Sequence, residues 1–208
     1  MLIKVLKSSI FYIISAFGIS LGIVANVGIS SYNSMNQAVA LANDIKIGTI
    51  TIVFNSIFLL FYIILTKGKY KMKYLIQGIS TFMFGFFINY FTYNILGGEL
   101  SLNYFQRILL LSFGTIISGA SIGIIAYYNA ITFPLEGICI EINRITKVSF
   151  IKLRYFIDII AITVSLGISF STNIPILVRE GTIVSMILLS LSMGIAKNYM
   201  ENQKKNLS

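Results

Sequence analysis

Six runs of about 20 apolar residues constrain this chain more than any other feature, because a helix needs roughly that length to cross ~30 Å of hydrocarbon. They lie at about Ser8–Val27, Ile47–Thr66, Tyr74–Leu96, Arg107–Tyr128, Ile151–Phe170 and Gly181–Asn198. The expected class is an all-α integral membrane protein, a single transmembrane domain of six helices in contact with the lipid bilayer. Composition agrees: 56% of the 208 residues are hydrophobic and 11% charged, less than half the charged share usual in soluble domains. The opening MLIKVLK before an apolar run has the form of a signal peptide, but that run is long enough to span and further spans follow. It is read as the first helix.

Basic residues orient the spans, since Lys and Arg accumulate in short cytoplasmic loops. With the N-terminus inside, Lys4, Lys7, Lys67, Lys69, Lys71, Lys73, Arg144, Lys147, Lys152, Arg154, Lys197, Lys204 and Lys205 are all cytoplasmic, against Lys46, Arg107 and Arg179 outside. Both termini are therefore expected inside, with a cytoplasmic tail at about 199–208. The net charge of +9 is explained by this topology, so no nucleic-acid partner is expected. Tryptophan is absent, and Tyr70, Tyr74, Tyr104, Tyr127, Tyr128 and Tyr199 at the span ends form the aromatic belt instead.

At an offset of 101 residues, Gly18/Gly119, Ser20/Ser121, Gly22/Gly123, Ile23/Ile124, Ala25/Ala126 and Lys46/Lys147 are identical. Each half carries the same order: a small-residue helix, a polar interruption, a basic residue, then two spans. Repeat one is about 1–98 and repeat two about 105–200. Three crossings per half make the second repeat inverted relative to the first. Gly18, Gly22, Gly119 and Gly123 form small-xxx-small faces suited to close helix packing.

The interruptions, Gly28–Lys46 and Asn129–Lys147, are too polar for lipid-facing spans and long for tight connections. They either lie flat at the surface or dip in as re-entrant half-helices facing a protein-lined cavity. Sequence leaves both open.

The segment ANVGISSYN (Ala25–Asn33) resembles an ANLGVSPWD-type motif of the YczE/YyaS/YitT family of bacterial multi-pass membrane proteins. The likeness continues through IGT (Ile47–Thr49), VSFIKLRYFIDI (Val148–Ile159) and REGTIVSMILL (Arg179–Leu189), and covers nearly the whole chain. It implies a bacterial plasma-membrane protein of largely uncharacterised function. Ser31, Tyr32 and Asn33 stand where that family often has Pro, Trp and Asp, so if that acid carries charge or binds a cation in relatives, the resemblance implies that the role is lost or altered here.

Asp158 is the one carboxylate well inside an expected span, a placement that costs about 2.5–3.5 kcal/mol and is met by a cavity or a partner. Arg154, one turn earlier on the same face, is the simplest partner. Allowing two inserted residues, Asn55 falls opposite Asp158 across the repeat, so both approach the midplane, where inverted-repeat transporters place substrate and ion sites. In the second interruption, Pro134 and Gly137 can bend a short helix, and Glu136 would sit near its positive end. Glu141 is expected to be a solvated cytoplasmic acid beside Arg144 and Lys147. Arg179 and Glu180 form an exposed rim pair of little weight.

These residues define the candidate pathway: Ser30, Ser31, Asn33, Asn55, Pro134, Glu136, Arg154 and Asp158. With no histidine and Cys139 the only cysteine, Cys/His catalysis and a zinc cluster are excluded, and Cys139 among isoleucines reads as a small buried hydrophobe. Asp158 alone makes no aspartyl dyad. No enzyme, metal or cofactor is expected, and no phosphate-cradling loop couples the chain to ATP. Two functions remain: a small solute transporter or permease-like protein with a polar midplane site, or a non-catalytic accessory, scaffold or substrate-binding subunit. The first needs an unknown small solute, mildly favoured as neutral or cationic; the second a partner membrane subunit or a homo-oligomer.

Overall fold

The computed structural model describes residues 2–97, 101–128 and 131–206. Gly98 at the end of repeat one, Asn129 and Ala130 at the start of the second interruption, and Leu207 and Ser208 of the tail lie outside the described residues. Within the described residues the chain is all-helical and has no strand: α1 (Leu2–Ala25), α2 (Ser31–Ala42), α3 (Ile47–Leu65), α4 (Lys71–Asn89), α5 (Tyr104–Tyr128), α6 (Pro134–Thr146), α7 (Phe150–Thr172) and α8 (Glu180–Asn206). A π-helical turn, Tyr90–Ile95, prolongs α4.

Six of these helices are long and apolar enough to cross a membrane, the architecture of a multi-pass membrane protein. The first begins earlier than hydropathy alone suggests, because Lys4 and Lys7 have stems long enough to keep their charges at a helix end. Helices α2 and α6 are too short to cross. At 1.5 Å per residue they reach about 18–20 Å, little more than half the hydrocarbon thickness. The order long, short, long, long thus occurs twice.

Helix α1 packs on α5 at the centre, α5 on α8, and α1 on α4. Small residues make this possible: a Cβ on Gly18 or on Gly114 would lie 2.4 Å from the other's carbonyl oxygen. Beside them the Ser15 and Ser118 hydroxyls are 3.0 Å apart. Gly119 and Gly123 admit Leu189, Ser192 and Met193 of α8 in the same way, and Gly22 lies against Ile29 and Leu111. Close backbone approach drives association where no hydrophobic force acts between helices in lipid. Tyr12, Ala16, Ile88, Leu111, Ile125 and Ile131 form the core. Phe82, Phe86, Ile183 and Ile195 are more than half exposed, as an apolar solvent permits.

The short helices occupy matching places. Helix α2 packs on α7 and α3, and α6 on α3 and α7. The halves differ in one large pairing: α3 packs along α4, whereas among the described residues α7 and α8 have no comparable packing.

Candidate functional site

The site is assembled from the starts of the two short helices. After α1 the backbone reverses at Asn26 (φ 53°) and Gly28 (φ 95°). A side chain at Gly28 would meet Thr182 Oγ1 at 2.9 Å as well as the left-handed backbone, so glycine is required. Val27 O accepts a hydrogen bond from Gly181 N at 3.0 Å, and Ile29 lies against Gly22. The chain therefore runs back alongside α1 before α2 begins. The first turn of α2 reaches the middle of α7 and of α3, and its last turn leads to the start of α3 at Ile47.

The second short helix is placed likewise. Gln77 Nε2 donates to Thr132 O at 2.8 Å and to Thr132 Oγ1 at 3.0 Å. Phe133 packs between Tyr12 and Phe84, with ring centroids 4.3 and 5.1 Å away, both well inside their helices. Pro134 then opens α6, where its missing N–H costs nothing. A Cβ on Gly137 would lie 3.5 Å from the Tyr62 ring. Helix α6 ends at Thr146, just before α7 starts.

Helix α7 presents one polar stripe, Asp158, Ala161, Ser165 and Ser169, as its buried face. Ser165 Oγ donates to Ser34 O at 3.2 Å, and Ser31 Oγ donates to Asp158 Oδ1. Along α7, Asp158 is about 12 Å from Phe150. Arg154 Nε lies 3.8 Å from Asp158 Oδ2, while Arg154 Nη1 donates to Glu136 Oε1 at 3.1 Å. A continuous polar chain, Ser31–Asp158–Arg154–Glu136, so joins the first turns of α2 and α6. It holds two acids and one base. Exposure rises along it, from 11% at the Asp158 side chain to 26% and 22% at Arg154 and Glu136.

On the other side of α2, Tyr32 Oη donates to Asn55 Oδ1 at 3.1 Å and Asn36 Nδ2 to Thr51 Oγ1 at 3.2 Å. Asn55 and Asp158 thus receive hydrogen bonds from consecutive residues of α2. Among the described residues Asn36 Oδ1 and Gln77 Oε1 are buried without partners, unusual for acceptors.

Asn33 Nδ2 donates to Ser30 Oγ at 3.0 Å. Both residues line a cavity of about 20 Å³ with Gly18, Thr115, Ser118 and Ser185, room for about one water. Above it an open depression of about 300 Å³ is lined by Asn26, Val27, Tyr104, Arg107 and Arg179. The two arginines donate to carbonyls at the end of α1: Arg107 Nη1 to Ala25 O at 3.1 Å and Arg179 Nη1 to Asn26 O at 3.3 Å. Arg179 and Glu180 are an exposed pair at 3.5 Å.

All eight pathway candidates lie in or beside this assembly, but Asn33 and Ser30 face the small cavity rather than the charged chain. Glu141 corrects expectation: it is buried, 6% exposed, and its partner is Arg144, because α6 packs on α3 instead of lying in solvent. Arg154 has Glu136 as its nearer partner, which helical spacing alone does not indicate. Tyr32, Asn36, Thr51 and Gln77 escaped sequence reasoning. One signal was available for Thr51: it stands at the same repeat offset from Arg154, 103 residues, as Asn55 from Asp158.

Neither a curated protein nor a solved structure matches this chain. A family model matches residues 3–198, nearly the full length, and the chain therefore belongs to DUF6198, a family of unknown function.

Proposed function

We propose that this protein is a small, non-catalytic solute permease of the bacterial plasma membrane, built from two inverted repeats with both termini cytoplasmic. The observation that carries the proposal is the chain Ser31–Asp158–Arg154–Glu136, which joins the first turns of two helices too short to cross. In this reading α2 and α6 are re-entrant, descending from opposite faces, and their positive N-terminal ends meet near the midplane. Free backbone groups at that depth are tolerated only where protein or water surrounds them. Buried Asn36 Oδ1 and Gln77 Oε1 supply unused acceptors. Two acids against one base favour a neutral or cationic solute. The four motifs of the sequence further support kinship with the YczE/YyaS/YitT proteins.

The test is solvent access to the site. Single cysteines at Ser31, Asn33, Pro134 and Glu136, in a Cys139→Ser background, are exposed in proteoliposomes to membrane-impermeant thiol reagents from each side. Labelling at Glu136 from one side and at Asn33 from the other is expected. If none of the four is reached, the re-entrant pathway is wrong.

A further inference from the structure

The packing of α3 on α4 contains a recognisable lock. Gly48 and Gly85 touch backbone to backbone: a Cβ on Gly48 would lie 2.1 Å from Gly85 O, and one on Gly85 2.3 Å from Gly48 O. Asn89, one turn after Gly85, accepts from Gly48 N at 2.7 Å and donates through Nδ2 to Thr49 Oγ1 at 3.1 Å. Tyr93 Oη accepts from Ile47 N at 3.3 Å. The first turn of α3 is thus seated on α4, and its free N–H groups are satisfied there.

The seat recurs in α8 at an offset of 109 residues. Gly85-Phe-Phe-Ile-Asn89-Tyr90 corresponds to Gly194-Ile-Ala-Lys-Asn198-Tyr199, with Gly, Asn and Tyr identical. Its occupant should be the first turn of α7, since Gly48 corresponds to Ile151. That turn is elsewhere. Among the described residues nothing lies within 4 Å of where a side chain on Gly194 would sit, and Asn198 is exposed. Ile151 is 62% exposed, and α7 begins without a side-chain cap. An empty seat and an unseated helix start therefore face the same end of the molecule, the end at which Arg154 and Glu136 are most exposed.

We propose that the first turn of α7 is a gate that docks on Gly194 and Asn198 of α8, as α3 docks on α4, closing access to the Arg154–Glu136 end of the site. Ile151 fills the hollow over Gly194, and Asn198 caps the freed N–H groups of α7. The present structure is then the state with the α3–α4 gate shut and the α7–α8 gate open. In the opposite state the two exchange roles, which is the rocking of one repeat against the other expected for inverted repeats. The gate rests on the permease reading for its purpose but not for its test.

The test is trapping. In a Cys139→Ser background, the pair Ile151→Cys/Gly194→Cys is oxidised in proteoliposomes beside the mirror pair Thr49→Cys/Asn89→Cys. The mirror pair should cross-link at once. The first pair should cross-link slowly but fully, since a minor state of roughly 0.1–10% is drained over time. Cross-linking of the mirror pair with none of the other overturns the gate. Spin labels at Phe156 and Ile195, both exposed and equivalent to Val53 and Phe86, which stay exposed where α3 docks on α4, give a second measure: a shorter second distance supports docking, and one long distance under all conditions refutes it. A gate that cross-links in a protein whose four site cysteines are never labelled would sink the permease and keep the gate. Labelled sites with no cross-link would do the reverse.

Discussion

Helices α3 and α4 carry glycine and asparagine in the same arrangement as α8 offers α7, yet the first pair is locked and the second stands apart. The polar contacts of the short helices differ in the same sense. Where Asn36 bonds to Thr51 in one half, Glu136 pairs with Arg154 in the other, and Thr51 and Arg154 are equivalent positions. The closed half is neutral and the open half is charged. Charge at this depth is tolerable where water or a mobile partner can reach it and costly where it is sealed. On the permease reading proposed above, the closed half is the dry end of the scaffold and the open half the wet end.

The largest break in this comparison should come from glycine. Gly48→Ala drives a methyl into the Gly85 carbonyl and should cost about 3 kcal/mol, as overpacked contacts do. Gly194→Ala meets open space and should be neutral or stabilising by up to about 1 kcal/mol through helix propensity. Reversible unfolding in mixed micelles measures both, and equal costs would mean that the two seats are not in opposite states. Next, Arg154→Met leaves Glu136 and Asp158 facing each other without a cation. Because the cluster is partly exposed, the expected loss is about 2 kcal/mol, below that of a fully buried pair, against about 1 kcal/mol for the neutral counterpart Thr51→Val. The same unfolding assay decides whether the charged half is the more fragile. The smallest contrast is Asn89→Ala, expected to cost about 1 kcal/mol as a lost cap, against less than about 0.5 kcal/mol for exposed Asn198→Ala.

The six spans and two interruptions were legible because hydropathy and loop charge are local properties. Asp158, Glu136 and Ser31 were also marked one by one, each as a polar group out of place. Their connection was not. How α2 registers on α7 depends on how far the five residues Asn26–Ser30 run back beside α1, and no local pattern encodes a depth. Arg154 points at Asp158 by helical spacing, but the nearer carboxylate arrives from α6 through tertiary packing. Glu141 was misjudged for the same reason, as its burial follows from α6 resting on α3. The Gly-x-x-x-Asn-Tyr repeat was present throughout, hidden because extra residues before α7, within the longer α7 and in its connection to α8 together shift the offset from 101 to 109.

The contact between Ser31 and Asp158 joins residues 127 positions apart, and this has a consequence for biogenesis. While α2 is being synthesised its main partner does not yet exist, and the helix is too short and polar to be inserted by hydropathy. Its contacts with α3 can form first, and those with α7 only once α7 has been made. Arg154 and Asp158 enter together one turn apart, each lowering the other's cost of insertion. Completion of the first half is thus deferred to the end of translation, so a truncated chain would be left with an unhoused helix that quality-control proteases can recognise.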